Sequence, residues 1–265
     1  MPEGPETQRS TDHVREVLGL DTKASDCILV NFMWVLHDGK FKFPQEDLTI
    51  INKALDLPLL QFCCKGKAYF MELSKGVSIY AHHGMKGRWT FHPTSPRNVH
   101  CIFQFRIAST GVIHNLCFEN ERFGRLEIVD DLTFKWNSLA SSVLGSQAIT
   151  LDEFKSNLRR LGPQKLVRDV LMDQHLVCSG IGNYLIAEIM YYMLYHPGMA
   201  VGRLHDEAIQ SLYETVKGVV NGFYRGELNK LVYGKRLTHD GHPISKDKMK
   251  DGRVLHWVPA IQTLC

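Results

Sequence analysis

The chain has 265 residues, with 31 Lys and Arg against 28 Asp and Glu and 44% hydrophobic positions, enough apolar material to bury a sizeable core. This excludes a disordered or fibrous chain, and the length suits about two domains. A net charge of +3 does not by itself mark a nucleic-acid binder; positive charge serving such a partner has to be placed locally.

Pro5 and Glu6 can open a helix, because proline loses nothing at the first helical position and an early carboxylate suits the helix dipole. Val14, Val17 and Leu18 give that helix an apolar face. From Cys27 to about Val129 the pattern has period two, with Val99, Cys101, Phe103, Phe105 and Ile107 on one face and Ser109-Thr110-Gly111 as a turn. This half predicts an antiparallel β-sandwich. After Trp136 the period is helical: Thr150 with Glu153 forms a capping box, Pro163 opens a second helix, Asn183–Tyr195 is a third, and Asp206–Val220 a fourth. The segment from Val232 onwards predicts a small hairpin. The boundary between the halves falls between Asp131 and Thr150.

Seven cysteines without regular spacing read as reduced, buried thiols of a cytosolic or nuclear protein. No apolar stretch reaches the roughly 20 residues of a spanning helix, and the start lacks the regions of a signal peptide.

Four features bear on chemistry. With Met1 removed, Pro2 becomes a secondary amine, and a fraction of it is a free nucleophile at neutral pH. Attack on a sugar C1′ would give an iminium ion, with Glu3 beside it as acid or base; on these residues alone, helix opening is by far the simpler account. Ser179-Gly180-Ile181-Gly182-Asn183 precedes a helix, so its amides offer an anion site for phosphate, or else Asn183 is simply the cap. Lys65-Gly66-Lys67 reads as a hairpin tip, either functional or merely solvated. Between Arg225 and Arg253 eight basic residues face four acidic ones, an excess that suits a phosphate backbone.

Met-Pro-Glu-Gly-Pro-Glu at the start, Gly66-Lys67, His83-Gly84-Met85-Lys86-Gly87, Arg122-Phe123-Gly124, Gly180-Ile181-Gly182-Asn183 with Ala187-Glu188 and His196-Pro197, and Val232-Tyr233-Gly234-Lys235 follow one another along the chain. Together they make the chain resemble the formamidopyrimidine-DNA glycosylase and endonuclease VIII family over nearly its whole length. The resemblance implies an α+β fold: an amino-terminal helix and β-sandwich over 1–135, a helix-two-turns-helix domain over 136–229, and a β-hairpin finger over 230–265. It implies a bifunctional DNA glycosylase and apurinic-site lyase acting on a damaged base turned out of the stack of duplex or single-stranded DNA, as a monomer without cofactor or membrane.

By the same resemblance Pro2 forms the Schiff base, Glu3 protonates the sugar, and Lys67 contacts phosphate and supports catalysis. Gly182 and Asn183 contact phosphate, Glu188 lies near the base pocket, and Met85 and Phe123 fill the space left by the turned-out base. The arginine usual two places before Phe123 is here Glu121, a poor neighbour for phosphate.

Family members commonly hold zinc on four finger cysteines; the matching positions here are Leu237, Asp240, Val258 and Ile261, three of which cannot bind zinc. That is similar to the zincless finger of some endonuclease VIII-like members, with apolar packing in place of metal, while Arg253 matches the arginine that grips phosphate. A rival set of His239, His242, His256 and Cys265 has no recognised metal spacing. Gly4 favours the endonuclease VIII branch, which removes oxidised pyrimidines; Met85 is similar to the formamidopyrimidine branch. A non-catalytic binder of lesions or abasic sites is the alternative from another class.

Overall fold

The computed structural model describes residues 2–35, 45–122, 124–129 and 131–263. Phe123 and Cys265, both singled out in the sequence, lie outside them. The chain divides into two compact units, one of residues 1–2 and 6–137, the other of 3–5 and 138–265.

The first unit begins in α1 (Gly4–Val17), continues through the single turn α2 (Leu20–Lys23), and then forms β1 (Cys27–Trp34), α3 (Gln45–Asn52), β2 (Leu57–Lys65), β3 (Ala68–Leu73), β4 (Val77–His82), β5 (Lys86–Thr90), β6 (Val99–Ile107), β7 (Ile113–Arg122), β8 (Arg125–Val129) and α4 (Leu132–Ser138). All strand pairs are antiparallel, in the order β5-β7-β6-β1-β2-β3-β4-β8. The two four-stranded halves meet where β1 pairs with β2 only through Ile28 with Pro58 and Leu29 with Leu57. So short a seam lets the sheet fold over as a sandwich, and inward residues of both halves make one core: Leu29, Phe103, Phe105 and Leu116 from one, Phe62, Met71, Leu73 and Ile79 from the other. Val14 and Leu18 of α1 join it. The period-two reading is met on β6, where Val99, Cys101, Phe103 and Phe105 are buried, though Ile107 is only half-buried. The helices α3 and α4 were not foreseen, being short and lying beside strongly alternating strands.

The second unit contains α5 (Leu151–Arg159), α6 (Val167–Met172), α7 (Asn183–Tyr192), α8 (Asp206–Arg225) and the hairpin β9 (Ser245–Lys248) with β10 (Val254–Trp257). Half of the expected capping box forms: the Glu153 amide donates to Thr150 Oγ1 at 3.2 Å, while the Glu153 carboxylate accepts from Ser141 instead. Pro163 does not open a helix; that helix starts at Val167, after a turn in which the Lys165 amide bonds Gly162 O. All of Tyr184–Met190 is buried, so α7 is the central rod of this unit, with Leu158, Val170, Leu212, Val216 and the hairpin's Leu255 and Val258 in the same core. Among the described residues no helix is long and apolar enough to cross a membrane.

Candidate active site and nucleic-acid interface

In the second unit, the helix entrance read as a phosphate site already holds an anion. Glu3, only 1% exposed, accepts hydrogen bonds from the amides of Gly182 at 2.9 Å, Tyr184 at 2.9 Å and Leu185 at 3.1 Å. The first amides of a helix have no partner within it and sit at the positive end of its dipole, so a carboxylate there is held by charge and geometry together. A second bond, Gly4 amide to Gly180 O at 2.7 Å, fixes the next residue of the chain. Glycine at 182 is a steric requirement, because a Cβ there would stand 2.5 Å from the Glu3 carboxyl carbon. The expectation that Gly182 meets phosphate is therefore corrected: its amide serves Glu3. The cap also moves by one place, since Gly182 is the N-cap of α7 and Asn183 its first residue.

Asn183 ties that helix start to the hairpin, its Nδ2 donating to Val254 O at 3.1 Å. Next to Val254 is Arg253, whose Nε lies 3.1 Å from Asp251 Oδ2 and whose amide donates to Asp251 Oδ1 at 3.0 Å. The arginine lines an open pocket of about 260 Å³ with Asp169, Met172, Asp173 and Lys250. Asp251 was counted in the sequence only as local charge; its place two residues before the arginine is the signal that was available.

Glu188 stands in the middle of α7. It is completely buried, and its carboxylate accepts from the amides of Leu231 at 2.9 Å, Val232 at 3.1 Å and Tyr233 at 2.8 Å, so it anchors the segment following α8 rather than reaching a base. Near the end of the chain, Leu237 is 54% exposed and the Asp240 side chain 73% exposed, whereas Val258 is buried. Apolar packing thus accounts for the Val258 end alone. At the other end the turn is closed by polar bonds, the His242 amide donating to Thr238 Oγ1 at 3.0 Å and the Thr238 amide to His242 O at 3.0 Å. Gln262, also buried, clasps the end of the finger, accepting from the Val258 amide and donating to Tyr195 O at 2.9 Å. Leucine, valine and isoleucine supply no lone pair for zinc, so the four family positions do not fit the metal. Among the described residues no group of three or more His, Cys, Asp or Glu is arranged to hold one.

In the first unit Pro2 is half-buried and irregular in conformation. Lys67 lies at the two-residue turn between β2 and β3, where Gly66 takes φ +61°, a conformation that such a tight hairpin needs and glycine permits. Its neighbour Lys65 is structural, donating to Trp136 O at 3.0 Å and lying over the Trp136 ring. Met85, 49% exposed, stands on the turn between β4 and β5 rather than in the core. Beneath it His83 is 2% exposed and stacks on Phe118 at 4.6 Å. Burial, reinforced by His82, pushes its imidazole down to about 3, so it is neutral throughout the physiological range. Glu121 pairs with Lys86 across the same loops.

No protein-family model matches the chain. Formamidopyrimidine-DNA glycosylase of Rickettsia felis is 22% identical over 230 residues, covering 83% of this chain and 76% of that protein. The enzyme of the same name from Streptococcus pyogenes serotype M28 is 26% identical over 185 residues, 67% of this chain and 64% of its own length. Among solved structures, Lactococcus lactis formamidopyrimidine-DNA glycosylase non-covalently bound to DNA containing an AP site matches with TM-score 0.76 and 18% identity, over 99% of this chain and all of that one. The MutM (Fpg) protein of Thermus thermophilus matches with TM-score 0.74 and 21% identity over 98% of each chain. The fold is thus that of the formamidopyrimidine-DNA glycosylases. Sequence similarity to enzymes of that name extends along most of the chain as well.

Proposed function

We propose that the protein is a bifunctional DNA glycosylase and apurinic-site lyase of base excision repair, of the endonuclease VIII-like kind, acting as a monomer on damaged DNA. The observation that carries this reading is the triple amide grip on Glu3. A buried carboxylate fixed at three points beside residue 2 is more than helix opening requires, and it suits an acid–base group serving an amine nucleophile.

In this reading, with Met1 removed, the Pro2 nitrogen attacks C1′ of the damaged nucleoside, and the proton that nitrogen then gives up passes to the Glu3 carboxylate. The C1′–N bond breaks, the base departing with its electron pair and taking up a proton, and Glu3 hands its proton to the sugar ring oxygen as the C1′–O4′ bond opens, leaving an iminium at C1′. The resulting iminium makes the C2′ proton acidic, so β- and then δ-elimination release the two phosphates. Lys67, Asn183 and Arg253 hold phosphates around the turned-out nucleotide, and Met85 with Phe123 fills the space it leaves. Oxidised pyrimidines are the favoured substrates, and the finger works without zinc.

Borohydride reduction in the presence of abasic duplex tests the reading. The expected result is a covalent protein–DNA adduct that is lost in Pro2→Gly and when Met1 is retained. Tight binding with no trapped adduct would leave a non-catalytic lesion binder. Incubation with a zinc chelator is expected to change neither trapping nor melting temperature; stoichiometric zinc in the purified protein would overturn the zincless finger.

A further inference from the structure

Asn120, 4% exposed near the end of β7, closes two turns with one side chain. Its Nδ2 donates to His83 O at 2.7 Å and to Lys86 O at 3.1 Å, and its Oδ1 accepts from the Gly124 amide at 2.9 Å. The first two bonds fix the turn between β4 and β5, with Met85 at its exposed tip; the third fixes the turn between β7 and β8. Two further links lace these turns together, the Met85 amide to Arg122 O at 3.0 Å and the Lys86–Glu121 ion pair.

The surroundings are shaped for this amide. A Cβ on Gly124 would lie 2.1 Å from Asn120 Nδ2, and one on Gly87 would lie 2.6 Å from the same atom and 2.5 Å from Glu119 O. An amide is also the group the site calls for. Two carbonyl oxygens need donors and one backbone amide needs an acceptor, a combination that neither a carboxylate nor an apolar side chain supplies. Losing it would leave buried backbone groups without partners directly beneath Met85.

We propose that Asn120 is a positioning residue for DNA engagement: it holds Met85 at the height and angle from which that side chain wedges into the helix at the lesion. The proposal rests on the wedge reading of Met85 and deepens it, by placing the rigidity of the wedge in a residue that touches no DNA.

The test uses the full chain and a duplex carrying a non-cleavable tetrahydrofuran abasic analogue opposite 2-aminopurine, whose fluorescence rises when stacking is disturbed. The wild-type protein is expected to raise the signal; Asn120→Asp is expected to cut that rise about tenfold, the worth of one or two hydrogen bonds beneath the tip. Met85→Ala should behave likewise. Borohydride trapping of a single-stranded abasic oligonucleotide, which needs no wedge, should stay unchanged in Asn120→Asp.

A full fluorescence rise in Asn120→Asp overturns the proposal, as does an equal loss in both assays, which would mark a general structural fault. Gly124→Ala presses on the same amide and should reproduce the fluorescence loss, so the proposal stays open to refutation if Asn120→Asp does not fold. Absence of trapping in the wild type would count against the enzymatic reading alone, because the fluorescence assay involves no chemistry.

Discussion

Gly182 and Glu3 are fitted to each other: the glycine amide donates to the carboxylate at 2.9 Å, and the missing glycine side chain is the space the carboxylate fills. Gly182→Ala is accordingly expected to expel Glu3 from its three amides, lowering stability by about 1–3 kcal/mol and reducing adduct formation far more than DNA binding. Thermal unfolding, borohydride trapping and anisotropy measured on one preparation check it. An alanine variant that traps at the wild-type rate would show that the grip on Glu3 does not matter to the chemistry.

His83 makes stability depend on acid. Its folded value of about 3 lies below that of an unfolded histidine, so as pH falls through about 6.5 the unfolded chain takes up a proton that the folded chain refuses. The contribution is fully present above that pH and is lost on the way down to about 3, at up to about 1.4 kcal/mol per pH unit. His83→Phe should flatten this acid limb. Urea midpoints at a series of pH values would reveal it, and equal slopes in both proteins would refute the assignment.

Glu188 is expected to matter for folding and not for lesion choice. Its replacement by alanine strips three buried amides of their acceptor, costing about 1–3 kcal/mol and speeding hydrogen exchange at Leu231, Val232 and Tyr233. A changed order of preference over a panel of oxidised bases would instead restore it to the base pocket.

In the proposed reading, Asp251 competes with phosphate for Arg253. Asp251→Asn should tighten DNA binding about twofold to fivefold, the worth of one exposed ion pair. Arg253→Ala should weaken binding and shallow the dependence of log K on log salt by about one unit. Titrations at several salt concentrations measure both; an unchanged slope would remove Arg253 from the phosphate contacts.

Local pattern made much of this fold readable. Alternation on β6 marked its buried face, Gly66 marked the hairpin tip that bears Lys67, and Thr150 marked a helix start, each because the signal lies within a few neighbouring residues. The short helices α3 and α4 left no comparable period, and Pro163, a permitted helix opener, was overridden by turn bonds through Gly162 and Lys165.

By itself the sequence determined the class of fold and the motifs that carry the resemblance. What those motifs touch was decided in three dimensions. Gly180–Gly182 does build an anion site, but its occupant is Glu3, 179 positions earlier than Gly182. Glu188, placed near a base pocket by the resemblance alone, is the acceptor for amides more than 40 positions away. A carboxylate in a sequence announces only that it will accept hydrogen bonds. Which donors it meets, whether buried amides or a partly exposed arginine, depends on long-range packing that no local spacing encodes.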